Sequence, residues 1–226
     1  MIQKIGHRGA KGYCTENTLS SFKKALDLNV DGIELDVHVC ATGELIVFHD
    51  FTLDRMTNRS GEIHNFSLEE LKKLSVNQVF EISTLEEVLN FIDKKCQLNI
   101  ELKGHDTAKP TVQIIEKYVK EYNWKMEDFI VSSFQREELL KVSQSNSKIP
   151  LAVLTQASVE QAVEWAEEFK AKYIHPHFSL LTEDNCFKAT QKGFKINTWT
   201  VNDVIDIERL KKYKINGIIS DFPDRI

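Results

Sequence analysis

The sequence predicts an α/β fold, a single TIM-like (β/α)8 barrel with a β-hairpin after its second strand. Three observations lead there. Short apolar runs rich in Val and Ile alternate with amphipathic helical patterns, the mark of βαβ units and a parallel sheet. Of nine strand candidates, one reads as the returning arm of a hairpin, and the other eight can run parallel and close a barrel. A length of 226 residues suits one such barrel, so residues 1–226 read as one domain. No GxGxxG or GxxxxGK[ST] phosphate loop occurs, which weakens the open nucleotide-binding sheets.

The elements follow in order. Ile2–Gly6 is the first strand and ends at His7-Arg8-Gly9. Glu16-Asn17-Thr18 opens an amphipathic helix through Leu19, Phe22, Ala25 and Leu26, with Asn17 as its N-cap. Ile33–Val39 and Leu45–Phe48 flank Ala41-Thr42-Gly43-Glu44, whose turn chemistry makes them a hairpin. If Val39 pairs near Leu45, then Asp36 falls near Phe48, and His49 and Asp50 return to the end that carries Glu34 and Asp36. Phe51–Phe66 is polar and reads as a short inserted loop (51–66). Ser67-Leu68-Glu69-Glu70 and Thr84-Leu85-Glu86-Glu87 are capping boxes, the second opening a helix to about Lys95. Strands follow at Gln97–Lys103, Phe129–Ser132, Pro150–Leu154, Tyr173–His175, Phe194–Trp199 and Asn216–Ser220. Between them lie helices from about Pro110 and at Arg136–Ser143, Val159–Phe169, Glu183–Gln191 and Val204–Tyr213.

Composition removes several classes of function. A net charge of -5 and a pI of 5.8 argue against nucleic acid as a partner, since phosphate-backbone binding leans on a basic surface. The four cysteines show no CxxC or zinc spacing and read as reduced thiols. The N-terminus opens without an apolar signal region, and no apolar run approaches the roughly 20 residues that span a bilayer. A soluble, cytoplasmic protein without stable membrane insertion is the expectation. The chain carries no signal for its oligomeric state.

The unusual residues sit where barrel active sites sit, at the C-terminal ends of strands. His7 and Arg8 follow the first strand, and Glu34 and Asp36 share one face of the second, because strand side chains alternate. On the hairpin alone, these acids suit a solvated strand face as well as a site. Glu101 and Lys103 also lie two apart on an otherwise apolar strand, where a plain salt bridge is the bland reading. Beside Glu34 and Asp36, however, Glu101 makes a third acid, and three close anions resist joint ionisation without a cation. Oxygen donors without thiolates favour a hard divalent cation, Mg2+ or Ca2+, with Mn2+ as a further candidate. If His7 or His49 were also ligands, zinc or manganese would gain. Free histidines suit a phosphate ester better: one takes a proton from the attacking hydroxyl and the other protonates the departing alkoxide. Arg8 and Lys103 would then neutralise phosphoryl oxygens.

Other polar residues have quieter readings. His38 reads as a hydrogen-bonded strand residue, and His64 and His105 as solvated. His175 and His177 flank Pro176 at a rim loop and read as structural more than substrate-binding. Trp199 and Asp221 also follow late strands, and barrel-mouth core is a fair reading of Trp199. Glu16 either orients Arg8 or a histidine, or supports a helix N-terminus. Ser132 and Ser133 lack the glycines of a nucleophile elbow.

Taken together, GHRGAKGYCTENTLSSFKKAL, DGIELDVHVCATGELIVFHDFTLDRMTN, ISTLEEVL, LNIELK, VSSF, NTWTVND and GIISDFPD resemble, in that order, the glycerophosphodiester phosphodiesterase family in its small bacterial form. The likeness runs over nearly the whole chain. It implies a TIM barrel that uses a divalent metal to hydrolyse small-molecule glycerophosphodiesters, such as deacylated phospholipids, to an alcohol and glycerol 3-phosphate. It also implies His7 and His49 as the catalytic pair, Glu34, Asp36 and Glu101 as metal ligands, and Arg8 and Lys103 as phosphate contacts. Trp199 matches an aromatic that packs on substrate, with Phe178 in a similar part. Thr15 and Ser83 stand where the family usually has proline, at turn positions rather than chemical ones. Rival readings are a lysophospholipase D-like activity on a lipid and a silent barrel used as a binding module. The acidic balance disfavours the first, and the intact set of histidines and acids disfavours the second.

Overall fold

Alternation of inward and outward side chains along each strand builds the molecule. In the computed structural model, which describes residues 1–226, the first elements are β1 (Gln3–Gly6), α1 (Leu19–Asp27), β2 (Gly32–Val39) and β3 (Leu45–Val47). An excursion then carries α2 (Leu68–Lys72), β4 (Ser75–Val76) and β5 (Phe80–Glu81) before α3 (Leu85–Ile92). The regular alternation follows: β6 (Gln97–Leu102), α4 (Ala108–Glu121), β7 (Phe129–Ser133), α5 (Arg136–Ser145) and β8 (Leu151–Thr155). It ends with α6 (Val159–Phe169), β9 (Tyr173–Pro176), α7 (Glu183–Gln191), β10 (Lys195–Thr198), α8 (Val204–Leu210) and β11 (Gly217–Ser220).

Eight strands run parallel in the cyclic order β1, β2, β6, β7, β8, β9, β10, β11, and β11 pairs back onto β1 to close the barrel. β3 lies outside the ring, antiparallel to β2, with Val39 opposite Leu45 and Val37 opposite Val47. The expected barrel and hairpin register are therefore both present. Outward residues such as Leu35, Ile100, Val131, Val153, Ile174 and Ile218 join the helices in the main hydrophobic core. Inside, Ile130, Ala152 and Tyr173 form a small apolar plug. Beyond the plug, toward the strand C-termini, the inward positions turn polar: Asn99, Ser132, His175 and Asn197, all buried.

Three local expectations need correction. The N-cap of α1 is Thr18, whose hydroxyl accepts from the Ser21 amide, and not Asn17, which adopts a left-handed φ of 56° one residue earlier. His175 is not at a rim loop: it points into the barrel from β9 and is fully buried, while His177 occupies the rim. The excursion is more structured than a loop. Within 51–66, Ile63–Asn65 is a 3-10 turn, and Leu53, Met56 and Ile63 pack with Ile46, Phe48, Leu71 and Ile82 in a satellite core; β4 and β5 form a second small hairpin farther along the chain. Both expected capping boxes, at Ser67 and Thr84, are formed. No helix is long and apolar enough to cross a membrane.

Candidate active site

Three carboxylates define the centre. Glu34 and Asp36 project inward from β2, and the parallel register sets Asp36 beside Glu101 of β6. One oxygen from each of the three lies within 4.8 Å of the others, and all three residues are buried. Four donors compensate part of their charge. The Arg8 amide donates to Glu34 Oε2 at 2.9 Å, a reach permitted by the left-handed φ of 50° at Arg8. Asn17 Nδ2 donates to Asp36 Oδ2 at 2.9 Å, and the Arg8 guanidinium lies 3.3 Å from the same oxygen. Lys103 Nζ donates to Glu101 Oε1 at 2.9 Å.

That compensation falls short of the charge. Burial, with Asp36 and Glu101 beside it, raises the Glu34 carboxyl well above its ordinary range. Burial and Asp36 likewise raise Glu101 to about 7. Burial opposes the ionisation of Asp36 too, but Arg8, His49 and Lys103 hold its carboxyl below the usual value. Asp36 Oδ1 is buried and accepts no hydrogen bond. A divalent cation fits this donor set: the oxygens are hard, close and short of positive charge, and one is a free lone-pair donor.

The two histidines have parallel surroundings. His7, just past β1, places Nδ1 2.6 Å from Asp221 Oδ1 at the end of neighbouring β11. Asn202 fixes Asp221, donating from Nδ2 at 2.8 Å and accepting the Asp221 amide at 2.9 Å. His49, just past β3, places Nδ1 2.7 Å from Asp50 Oδ1. Since a carboxylate only accepts, Nδ1 carries the proton in both rings and Nε2 is left to the cavity. Burial is the largest influence on both imidazoles and lowers their pKa.

The cavity these groups share has a volume of about 460 Å3. His7, Arg8, Glu34, His49, Glu101 and Lys103 line its polar side, and Asp36 lies buried beneath. Phe51, Phe134, Leu154, Trp199 and Ile219 make the apolar wall, with Gln135 and Gln156 between. The Trp199 indole is fixed by a 2.7 Å hydrogen bond from Nε1 to the His175 carbonyl and meets Phe134 edge-on at 5.4 Å.

Eight of the nine expected site residues therefore surround one space. The exception is Phe178. It opens a single 3-10 turn after β9, and its ring packs against His177 and the main core instead of the cavity. Its backbone serves the site, since its amide donates to the Trp199 carbonyl at 3.0 Å. The aromatic that meets Trp199 in the cavity is Phe134, within the VSSF segment. Glu16 does orient Arg8, accepting from Nη1 at 2.8 Å, and His38 is bonded to the His49 carbonyl at 3.1 Å.

Asp50, Arg55, Asn17 and Asn202 have places in or behind the site that sequence reasoning did not assign. Adjacency of Asp50 to His49 was a usable signal. The others depend on loops meeting in space.

Comparison with known proteins agrees with this geometry. Residues 7–225 match the model of the glycerophosphoryl diester phosphodiesterase family. A glycerophosphodiester phosphodiesterase of Caldanaerobacter subterraneus subsp. tengcongensis is 37% identical over 98% of this chain and 95% of its own. One from Bacillus altitudinis is 35% identical over 100% and 96%. Among solved structures, an Oleispira antarctica phosphodiesterase in complex with the product sn-glycerol-3-phosphate superposes with a TM-score of 0.90 at 27% identity, covering 99% of this chain and 94% of the other. A glycerophosphodiester phosphodiesterase of Thermotoga maritima does so at 0.82 and 26%, covering 99% and 96%.

Proposed function

Because the chain belongs to the glycerophosphoryl diester phosphodiesterase family, we propose that its cavity splits glycerophosphodiesters into an alcohol and sn-glycerol 3-phosphate, with His7 and His49 as the acid–base pair. The protein is an enzyme, a phosphoric diester hydrolase on a TIM barrel. Residues 1–226 act as one catalytic unit, with 51–66 as its short insertion. The observation that carries the assignment of roles is the convergence of two histidines, three acids and two basic side chains on one cavity.

Glu34, Asp36 and Glu101 would hold one divalent cation, Mg2+ or Ca2+ with Mn2+ as the further candidate. When bound, that ion supplies positive charge for phosphoryl oxygens and for the charge that grows on them. Arg8 and Lys103 add theirs from the chain itself, in a buried setting where water screens them little. Of the two Nε2 atoms that face the cavity, one, unprotonated, accepts the proton of the attacking oxygen. The other ring, entering the step protonated, gives its Nε2 proton to the leaving oxygen, so the two exchange roles and their summed charge is unchanged. Trp199 and Phe134 supply an apolar wall for the carbon skeleton of the glycerol. Four free cysteines suit a reducing compartment, and the cytoplasm is the expected site of action.

The test is release of glycerol 3-phosphate from glycerophosphocholine and glycerophosphoethanolamine, with EDTA and with added Mg2+ or Ca2+. Turnover that EDTA abolishes and one of the ions restores is the expected result. Turnover unaffected by EDTA would remove the cation, and none on any diester would remove the reading. Lysophosphatidylcholine in the same assay tests the lipid alternative.

A further inference from the structure

Arg55 belongs to neither the cavity wall nor the acid cluster, yet it touches the supports of both sides of the site. Its Nε donates to Asp50 Oδ2 at 2.5 Å and its Nη2 to Asp50 Oδ1 at 3.0 Å. The same Nη2 donates to Glu16 Oε1 at 2.7 Å, and Nη1 to Glu16 Oε2 at 3.3 Å. Asp50 Oδ1 is the oxygen that holds His49 Nδ1, and Glu16 Oε1 is the oxygen that holds Arg8 Nη1. One nitrogen thus sits between the group that orients a histidine and the group that orients a phosphate-facing arginine.

We infer that Arg55 is a positioning residue for the hydrolysis: it sets His49 through Asp50 and Arg8 through Glu16, so that acid–base and phosphate groups move as one unit. The inference rests on the proposed function for its chemistry, and on the geometry alone for its mechanics. A half-exposed ion pair ordinarily contributes little to stability. Here the fork is planar and meets both carboxylates bidentately, which fixes direction as well as distance. The backbone that carries it is anchored: Leu53 and Met56, on either side, are buried in the satellite core, and Leu53 is tied to the Gly61 carbonyl at 2.9 Å. On this view the excursion is a mount for one guanidinium. Without Arg55, Asp50 and Glu16 would face each other across an emptied gap as like charges. They would part, taking the His49 ring and the Arg8 fork with them.

The test compares Arg55→Ala and Arg55→Lys with Arg59→Ala, a control in the same excursion whose guanidinium lies over the Phe66 ring. Three quantities are read: kcat and KM on glycerophosphocholine, calorimetric affinity for inorganic phosphate, and the 15N imidazole signals of His49. Arg55→Ala should lose about tenfold or more in kcat, as misplaced reacting groups do, with weaker phosphate binding and a changed Nδ1–H signal. Added guanidinium ion should recover part of the loss, and Arg55→Lys, which keeps charge but not the fork, should lie between. A folded Arg55→Ala that matches wild type in all three readouts would overturn the inference, as would an equal loss in Arg59→Ala. Should Arg55→Ala not fold, Arg55→Lys and Arg55→Gln carry the same comparison. Should wild type release no glycerol 3-phosphate, the proposed function fails on its own. Phosphate affinity and the His49 signals would still decide whether Arg55 positions the two groups.

Discussion

His7 and His49 come from distant parts of the chain, yet each gives Nδ1 to a carboxylate and keeps Nε2 for the cavity. Replacing either with alanine should lower kcat by about 10²–10⁴-fold, the usual worth of a positioned proton carrier. The circular dichroism spectrum should be unchanged and the metal titration largely so, because neither ring packs in the core or hydrogen-bonds the three acids. Turnover near wild type in either variant would remove it from the acid–base pair. Glu101→Gln keeps the shape of the side chain and removes one hard anionic donor. Losing a partner merely behind a ligand costs about 10–100-fold in metal affinity, so losing a ligand should weaken Mg2+ or Ca2+ binding at least as much by isothermal titration. These residues were legible as chemistry because acids two apart on an apolar strand are anomalous in any α/β core. Their partners were not. Asn202 and Arg55 are ordinary polar loop residues until folding sets them against Asp221 and Asp50.

At the scale of elements, most helix starts were written locally. Ser67 and Thr84 close their capping boxes as the sequence predicts, since both halves of each box lie within one turn. The start of α4 shows the limit. Thr107, its N-cap, makes no cap bond with its own side chain. Glu138, from the next helix, does the work: it accepts from the Ala108 amide at 2.8 Å, the Asp106 amide at 3.2 Å and the Thr107 hydroxyl at 3.3 Å. No window of sequence near residue 107 contains that partner. Glu138 is 2% exposed, so Glu138→Ala would leave the Ala108 amide without its partner, while the Thr107 hydroxyl keeps the Gly104 carbonyl at 2.9 Å, and should cost about 1–3 kcal/mol, read as a lower urea midpoint with the slope unchanged. An unshifted midpoint would show that water replaces the cap at no cost. The N-cap of α1 failed for a related reason. Asn17 has the right chemistry for a cap, but its side chain is committed to Asp36 across the site.

For the whole molecule, the polar barrel interior should make stability sensitive to acid. His175 is fully buried, and burial lowers its pKa to about 3 from an ordinary 6.5. It therefore stays neutral in the fold while the unfolded chain takes up a proton. Its contribution to stability is full above pH 6.5 and is lost as the pH drops from 6.5 toward 3. Glu16 adds to this from a lower onset. Burial alone would raise its carboxyl, but Arg55 and Arg8 bring it down to about 2 from 4.5, so its contribution is present above pH 4.5 and lost on the way to 2. Glu34 and Glu101, whose carboxyls are raised by burial, act with the opposite sign over the same window, so the share of His175 is read as a difference between variants. His175→Gln, which can still accept from Asn197, should lose less unfolding midpoint than wild type as the pH drops below 6.5; an identical pH profile would remove His175 as a source of acid sensitivity.

Strand and helix periods, turn residues and the order of the motifs were determined by the sequence itself, because each depends on neighbours a few residues apart. They sufficed for a closed eight-stranded barrel, for the hairpin that returns His49 to the acids, and for the histidines and charged residues that face the cavity. Only the tertiary structure decided which loops meet behind those residues. It set Phe134 instead of Phe178 against Trp199, turned His175 inward, and joined Asp50 to Glu16 through Arg55. Phe134 and Trp199, like Arg55 and Glu16, lie dozens of positions apart, and their geometry exists only once the ring of strands has closed.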